Sequence, residues 1–409
     1  MTLRFAVGLI VGLLLIVGAG SGVWWMKNHD VEFQENFLAS FTGSEGNLSR
    51  IGGTKESNTV TLVAFGDMML DRYVWTLMQR NGLDYPFVYF PELLDSMLTD
   101  PETQERLTQD FLFANLEGPI SDTDYVNPGT AMIFNFRPEV VEVLQKYGFN
   151  VLNIANNHSY DMGADAAGQT RTYLSAGGIS YFGEAKGITE NSIWRTEANG
   201  VTLTFIGFND TLSDQLDLDA ATALIQSVED TSDFTIVSIH WGVEYRITPT
   251  ADQIETAHAF IDSGADVILG HHPHVVETSE WYNGPDGTPR PIYYSLGNFV
   301  FDQYFQQNVQ EGLGLTITLK KAPNELESSG TNFITVRETP FDILKSQVKK
   351  RGSNFAFRVC IAAFFMVLLY DGRKKTTQNK NHLTQNKNGK THPLVSAQCQ
   401  PILPTESVG

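Results

Sequence analysis

From Thr59 onward, short apolar runs alternate with amphipathic stretches over some 260 residues, and this alternation restricts the fold more than any other feature. Runs with strand length and β-branched or aromatic content predict strands at 59–65, 111–116, 150–155, 201–207, 234–240, 266–270, 291–296 and 314–319. Helical periodicity between them predicts helices at 72–80, 138–147, 165–176 and 251–263. The expectation is an α/β fold with at least one buried sheet flanked by helices.

The two ends are different kinds of sequence. Phe5–Trp25 is 21 residues without a charge, and at 1.5 Å per residue it spans about 31 Å, the thickness of a bilayer's hydrocarbon core. It reads as a transmembrane signal-anchor over 1–27, with a cleaved signal peptide as the alternative because Gly18-Ala19-Gly20-Ser21 offers small residues near its end. Arg4 before the segment and Asp30, Glu32 and Glu35 after it place the following domain on the extracytoplasmic side of the cell membrane, with a single pass. Residues 28–58 are polar and read as a linker to a domain at 59–322. Residues 323–409 read as a largely disordered basic tail, its one short apolar segment at 359–370 too brief to span a bilayer.

Charge excludes one class of partner. The formal net charge is −19, but from Lys345 to the end there are 11 lysines and arginines against Asp371 and Glu406, leaving −28 before that point. A body so acidic offers no footprint for a phosphate backbone, so no nucleic acid is expected as partner. Both cysteines, Cys360 and Cys399, lie in the tail; the rest of the chain has neither a disulfide framework nor thiolate ligands.

Chemistry-bearing residues gather at the ends of predicted strands. His158 stands in IANNHSYDMG, His240 in VSIHWG, and His271, His272 and His274 in LGHHPHV, while Asp67 and Glu117 occupy matching places in VAFGDMML and FANLEGPI. Open α/β sheets form their sites outside the carboxyl ends of strands, where these loops converge. Imidazoles with carboxylates are the donors that divalent zinc, manganese or iron accepts. His271, adjacent to the pair at 272 and 274, points away from them if the loop is extended. Arg72 is either a guanidinium for an anionic substrate or the partner of a nearby acid. Arg137 carries the same two readings, at a helix start. Asp161 either orients His158 or caps the next helix. Asn298 and Asp302 either border the site or belong to a strand packed through Phe299 and Phe301; Trp241 either walls it or fills the core. No glycine-rich phosphate loop with its lysine follows a strand, so ATP hydrolysis is not expected.

The blocks GDMMLDR, NLEGPI, ANNHSYDMG, HWGVEY, GHHPHV and YSLGNFVFDQ, in this order, closely resemble the CapA family of capsule or poly-γ-glutamate biosynthesis proteins, whose domain is similar to calcineurin-like metallophosphoesterases. The resemblance covers about Thr59 to Leu319 and implies a layered sandwich of central sheets flanked by helices. It implies one or two divalent ions, with Asp67, Glu117, Asn157, His240, His272 and His274 as ligands and His158 as the general acid or phosphate contact. Met69 stands where that superfamily carries a histidine, which implies one position with Glu117, Asn157, His240 and His272 and a weaker one with Asp67, Glu117 and His274. The functions so implied are support for synthesis, export or attachment of an anionic capsular polymer, a metal-dependent phosphoesterase activity, or a non-catalytic scaffold for the subunits of a polymer synthase.

Overall fold

The computed structural model describes residues 58–124, 132–211, 216–322 and 332–351. The expected membrane segment, the linker before residue 58 and the tail beyond 351 lie outside the described residues. Among the described residues no helix is long and apolar enough to cross a membrane.

Two mixed sheets form the centre. The first contains β1 (Thr59–Met68), β2 (Phe111–Leu116), β3 (Val151–Asn153), β4 (Ser180–Phe182), β11 (Asn298–Val300), β12 (Glu311–Lys320), β13 (Phe333–Leu344) and β14 (Gln347–Lys350), in the order β14-β13-β12-β1-β2-β3-β4 with β11 also paired to β1. The second contains β5 (Ile193–Ala198), β6 (Val201–Asn209), β7 (Phe234–His240), β8 (Val267–His271), β9 (Ser279–Asn283) and β10 (Pro289–Tyr293), in the order β5-β6-β7-β8-β10-β9. Each has a parallel centre, β1 to β4 in one and β6-β7-β8-β10 in the other, with antiparallel strands outside it.

Side-chain alternation explains the layering. Val60, Leu62 and Ala64 of β1 and Phe113 of β2 join Leu203, Ile236 and Leu269 of the second sheet in one core between the sheets. The intervening Val63, Phe65 and Leu112 face outward and are covered by α1 (Arg72–Asn81), α2 (Phe90–Leu98), α3 (Val140–Lys146) and α4 (Gly163–Ala176) through residues such as Val74, Met97, Leu144 and Leu174. On the opposite side Ile206, Val237 and Ile268 pack under α5 (Leu218–Glu229) and α6 (Ala251–Asp262) through Ile225 and Phe260. The expected α/β fold with buried sheets is therefore present, as helices, sheet, sheet, helices.

One expected boundary changes. The sheet does not close at residue 322, because residues 333–342 of Phe333–Leu344 pair with the whole of β12, and Gln347–Lys350 returns beside the end of that strand. The strand was hidden by its composition: it is at least partly exposed along most of its length, and its apolar residues are interrupted by Arg337-Glu338, Pro340 and Asp342. Lys349 and Lys350 on β14 put charge on the last strand of the sheet, which discourages further pairing.

Candidate metal centre

The parallel strands of both sheets end at one place. Pairing sets Asn298, Asp67, Asn115 and Asn153 in one row across the first sheet and Asn209, His240 and His271 in another across the second. These rows face each other at the open end of the inter-sheet core. Glycines permit the approach: a methyl on Gly66 would collide with the Gly297 carbonyl, and one on Gly270 with the Tyr294 carbonyl.

Asp67 lies at the middle, fully buried. It accepts hydrogen bonds from the Asn115 amide (2.7 Å) and the His272 backbone N–H (3.1 Å). The rings of His274, His271 and His240 approach it to 3.4, 3.6 and 3.9 Å. Glu117, also fully buried, has His274 Nε2 at 3.6 Å, His158 Nε2 at 3.9 Å and His240 Nε2 at 4.0 Å from Oε1. Two groups of donor atoms lie within 4.8 Å of one another, Asp67 with Glu117 and His240, and Glu244 with His272 and His274. This division differs from the pair of ligand sets implied by the resemblance, since His272 and His274 fall together and Glu244 joins them.

The electrostatics match a cation site. Burial lowers His240 far below the ordinary imidazole value and takes His271 and His272 down to about 4, so all three present neutral lone pairs. Burial acts in the same sense on His274, yet Glu117 and Asp67 raise it to about 9. Burial tends to raise Asp67 too, but the hydrogen bond with His274 and the neighbouring imidazoles hold it well below the usual carboxylate range. Glu117 is pushed well above that range by burial. Both Glu117 oxygens, Asn157 Oδ1, His240 Nε2, both His271 nitrogens and His272 Nδ1 are buried without a hydrogen-bond partner. Buried polar atoms left unpaired each cost about 1–3 kcal/mol, and those of Glu117, His240, His271 and His272 gather around Asp67, a set that a bound cation would satisfy. Carboxylate, amide and imidazole donors fit a divalent cation.

The remaining expected residues are placed as follows. His158 donates from Nδ1 to Asp161 (2.7 Å), whose Oδ2 also accepts the Phe134 N–H at 2.7 Å. Asp161 does not cap the next helix, whose N-cap position is Met162. Arg72 pairs with buried Asp302 at 3.1 Å, and its guanidinium lies 5.8 Å from the Phe134 ring, whose centroid is 4.0 Å from that of His158. The partner-acid reading of Arg72 thus holds, in a place next to the site. Arg137 donates to the Thr123 carbonyl. Met69 is fully buried in the core under the helices, its sulfur accepting the Asp71 N–H at 3.1 Å. Asn298 borders the site, its Oδ1 3.0 Å from His274 Nδ1, while Phe299 and Phe301 pack in the core. Trp241 fills the core and donates to the Tyr294 carbonyl.

Sequence reasoning missed four residues. His271 ends β8 on the same face as Val267 and Leu269, so strand alternation turns it toward the first sheet and Asp67, while left-handed backbone at His272 (φ 97°) and His274 (φ 58°) means that the loop beyond it is not extended. Asn115 is the residue of β2 in register with Asp67 and lies two residues before Glu117, just inside the strand end that carries it, a signal that was available. Glu244 follows His240 by four residues within HWGVEY, and nothing in that spacing marks it. Phe134 carries no signal of its own. Arg72 (φ 54°) and Tyr245 (φ 64°) also adopt left-handed backbone, so strained non-glycine residues collect around the centre, as they do at functional sites.

Comparison with known proteins follows the same residues. The PGA biosynthesis protein CapA of Bacillus subtilis is 29% identical over 318 residues, covering 72% of this chain and 78% of that protein. The capsule biosynthesis protein CapA of Bacillus anthracis is 31% identical over 269 residues, 61% of each chain, so the match takes in less than two thirds of that relative's length. A crystal structure of a novel phosphatase from Mycoplasma pneumoniae superposes with a TM-score of 0.42 at 12% identity, covering 69% of this chain and 95% of that one; a likeness this distant carries no weight for activity. The profile of the bacterial capsule synthesis protein family PGA_cap matches residues 61–303, which contain all the candidate ligands. The chain belongs to the PGA_cap family of bacterial capsule synthesis proteins.

Proposed function

We propose that this chain is a membrane-anchored, outward-facing capsule protein that supports synthesis, export or attachment of an anionic polymer of the poly-γ-glutamate kind, acting beside the subunits of its synthase through a divalent-cation centre. The observation that carries the reading is the set of seven buried, partnerless donor atoms at the strand ends of a chain in this family. The anchor is the uncharged stretch Phe5–Trp25. The likeness of this layered sandwich to metallophosphoesterases is part of the proposal, as are the ligands Asp67, Glu117, Asn157, His240, His272 and His274.

A manganese, zinc or iron ion held there supplies Lewis acidity. The chain's own groups do the rest. His158, oriented through Nδ1 by Asp161, presents Nε2 toward Glu117, where it can hold or deliver a proton. Arg72, fixed by Asp302, holds a guanidinium next to the centre, where its remaining N–H groups can meet an anionic ligand that the net charge of the body would repel.

The test is elemental analysis of the full chain, purified in detergent, beside Asp67→Asn, with polymer yield measured in cells at matched protein levels. Metal and polymer lost together support the reading; metal lost with polymer unchanged would refute it. Extracytoplasmic placement predicts degradation of the body by protease added to intact cells, and protection until lysis would overturn that part. The His158–Asp161 pair favours a second reading, a metal-dependent phosphoesterase, which requires turnover of an aryl phosphate with Mn²⁺ above the metal-free control.

A further inference from the structure

The loop after β7 is stitched to the loop after β8. Trp241 N–H donates to the His271 carbonyl at 3.1 Å and Tyr245 N–H to the Pro273 carbonyl at 2.7 Å. Between these two bonds the chain turns at Gly242 (φ 83°), where a Cβ would stand 2.7 Å from the Gln253 amide, so no side chain fits. The turn sets Glu244, an exposed residue, opposite His272 and His274, with one donor atom of each within 4.8 Å of the others. His272 is 91% buried by its 9% exposure, and its Nδ1 has no hydrogen-bond partner. Two imidazoles, one of them with a buried nitrogen that has no hydrogen-bond partner, and a carboxylate within reach of one another are half of a coordination shell.

A second set of contacts holds the carboxylate's neighbour. The Asn298 amide nitrogen donates to Gln303 (2.9 Å) and to the Val309 carbonyl (3.0 Å), so its oxygen faces His274 and accepts the proton on Nδ1. His274 therefore presents Nε2 to the centre. Gln303 in turn donates to the Tyr245 hydroxyl at 3.3 Å, and the Tyr245 ring lies 6.2 Å from that of His274 and 5.0 Å from that of Phe305. Tyr245 holds a left-handed backbone that a bulky residue adopts only when its surroundings impose it.

We propose that Glu244 is a cation ligand that completes, with His272 and His274, a second position beside that of Asp67, Glu117 and His240, and that Tyr245 is its positioning residue through the chain His274–Asn298–Gln303–Tyr245. This rests on the reading of the first position as a cation site. The probe is Mn²⁺, titrated calorimetrically into chelator-stripped full-length protein. Wild type binds two ions. Glu244→Gln, at an exposed position, retains one; Tyr245→Phe weakens the second ion about 10- to 100-fold, the usual effect of losing an outer hydrogen bond at a metal site, with its melting temperature in chelator unchanged. Two ions of unaltered affinity in Glu244→Gln overturn the inference. A single ion in wild type, lost in Asp67→Asn and untouched by Glu244→Gln, overturns it while leaving the first position standing. No ion in any protein overturns the first reading as well. A lower melting temperature in Tyr245→Phe with unchanged Mn²⁺ affinity makes that residue structural only and removes its half of the proposal.

Discussion

Glu277→Gln should change how the protein responds to pH. Glu277 is 4% exposed; its Oε2 accepts from the Gln253 amide at 2.9 Å and its Oε1 is buried without a partner. Burial raises its carboxyl from the usual 4.5 to about 7, against smaller pulls from Gln253 and Arg246. Because the folded-state value is the higher one, the folded chain holds the proton more tightly. The group's stabilising effect is greatest below about pH 4.5, is lost as pH rises toward 7, and changes little beyond. Integrated between pH 5 and pH 8, the loss is about 2.5 kcal/mol. A glutamine keeps an oxygen for Gln253, whose own side-chain oxygen caps α6 by accepting the Thr250 N–H at 2.8 Å, and it does not titrate. In thermal melts of full-length wild type and variant at fixed metal, the variant's relative stability should rise by about 2.5 kcal/mol from pH 5 to pH 8. For a domain of this size that is roughly 5–10 °C in melting temperature. All other titrating groups cancel in the difference. A difference that stays constant across this range, or one that falls with pH, would refute the reasoning.

Other outcomes follow from the same contacts. Mn²⁺ at a hundredfold excess over its dissociation constant should stabilise the stripped protein by about 2.7 kcal/mol, and His240→Ala should abolish most of that gain in a melting assay. Gly66→Ala should cost about 3 kcal/mol or more, read by denaturant titration, because its methyl group meets the Gly297 carbonyl rather than a movable side chain. If aryl phosphate is turned over, His158→Ala should lower kcat by roughly 10²- to 10⁴-fold, and Asp161→Asn by less, with Mn²⁺ affinity unchanged in both.

Continuous apolar runs were legible as strands: β2 and β7 begin and end where periodicity alone puts them. Loops after such strands were legible too, because topology requires them to meet at one edge. What stayed hidden depended on contacts with distant chain. Helix α2 begins at Phe90-Pro91 and is only nine residues long, too short for periodicity to declare itself, and it exists because Phe90, Leu93 and Met97 cover the first sheet. Strands β13 and β14 lacked a continuous apolar run, their apolar residues being broken by charges and Pro340, because they lie at the outer side of their sheet. Within the site, Asp67, Glu117 and the histidines were found by residue type and position. Glu244 was not, since its place beside the histidine pair depends on left-handed backbone at Tyr245, His272 and His274, which no local propensity announces; the direction of His271 followed from its place at the end of β8, on the face of Leu269.

The backbone N–H of His272 reaches Asp67 across 205 residues of sequence. Asp67 and Glu117 come from the first sheet and its loops, and His240, His272 and His274 from the second, so neither half of the molecule owns the centre. Under the proposed reading, a cation there would act as a clasp between the two sheets, closing a long loop, and such closure weighs mainly on the unfolded chain. Occupancy then reports on assembly as much as on chemistry. A chain that has folded only one sheet holds half a site, and the point at which metal first binds tightly marks the docking of the second sheet onto the first.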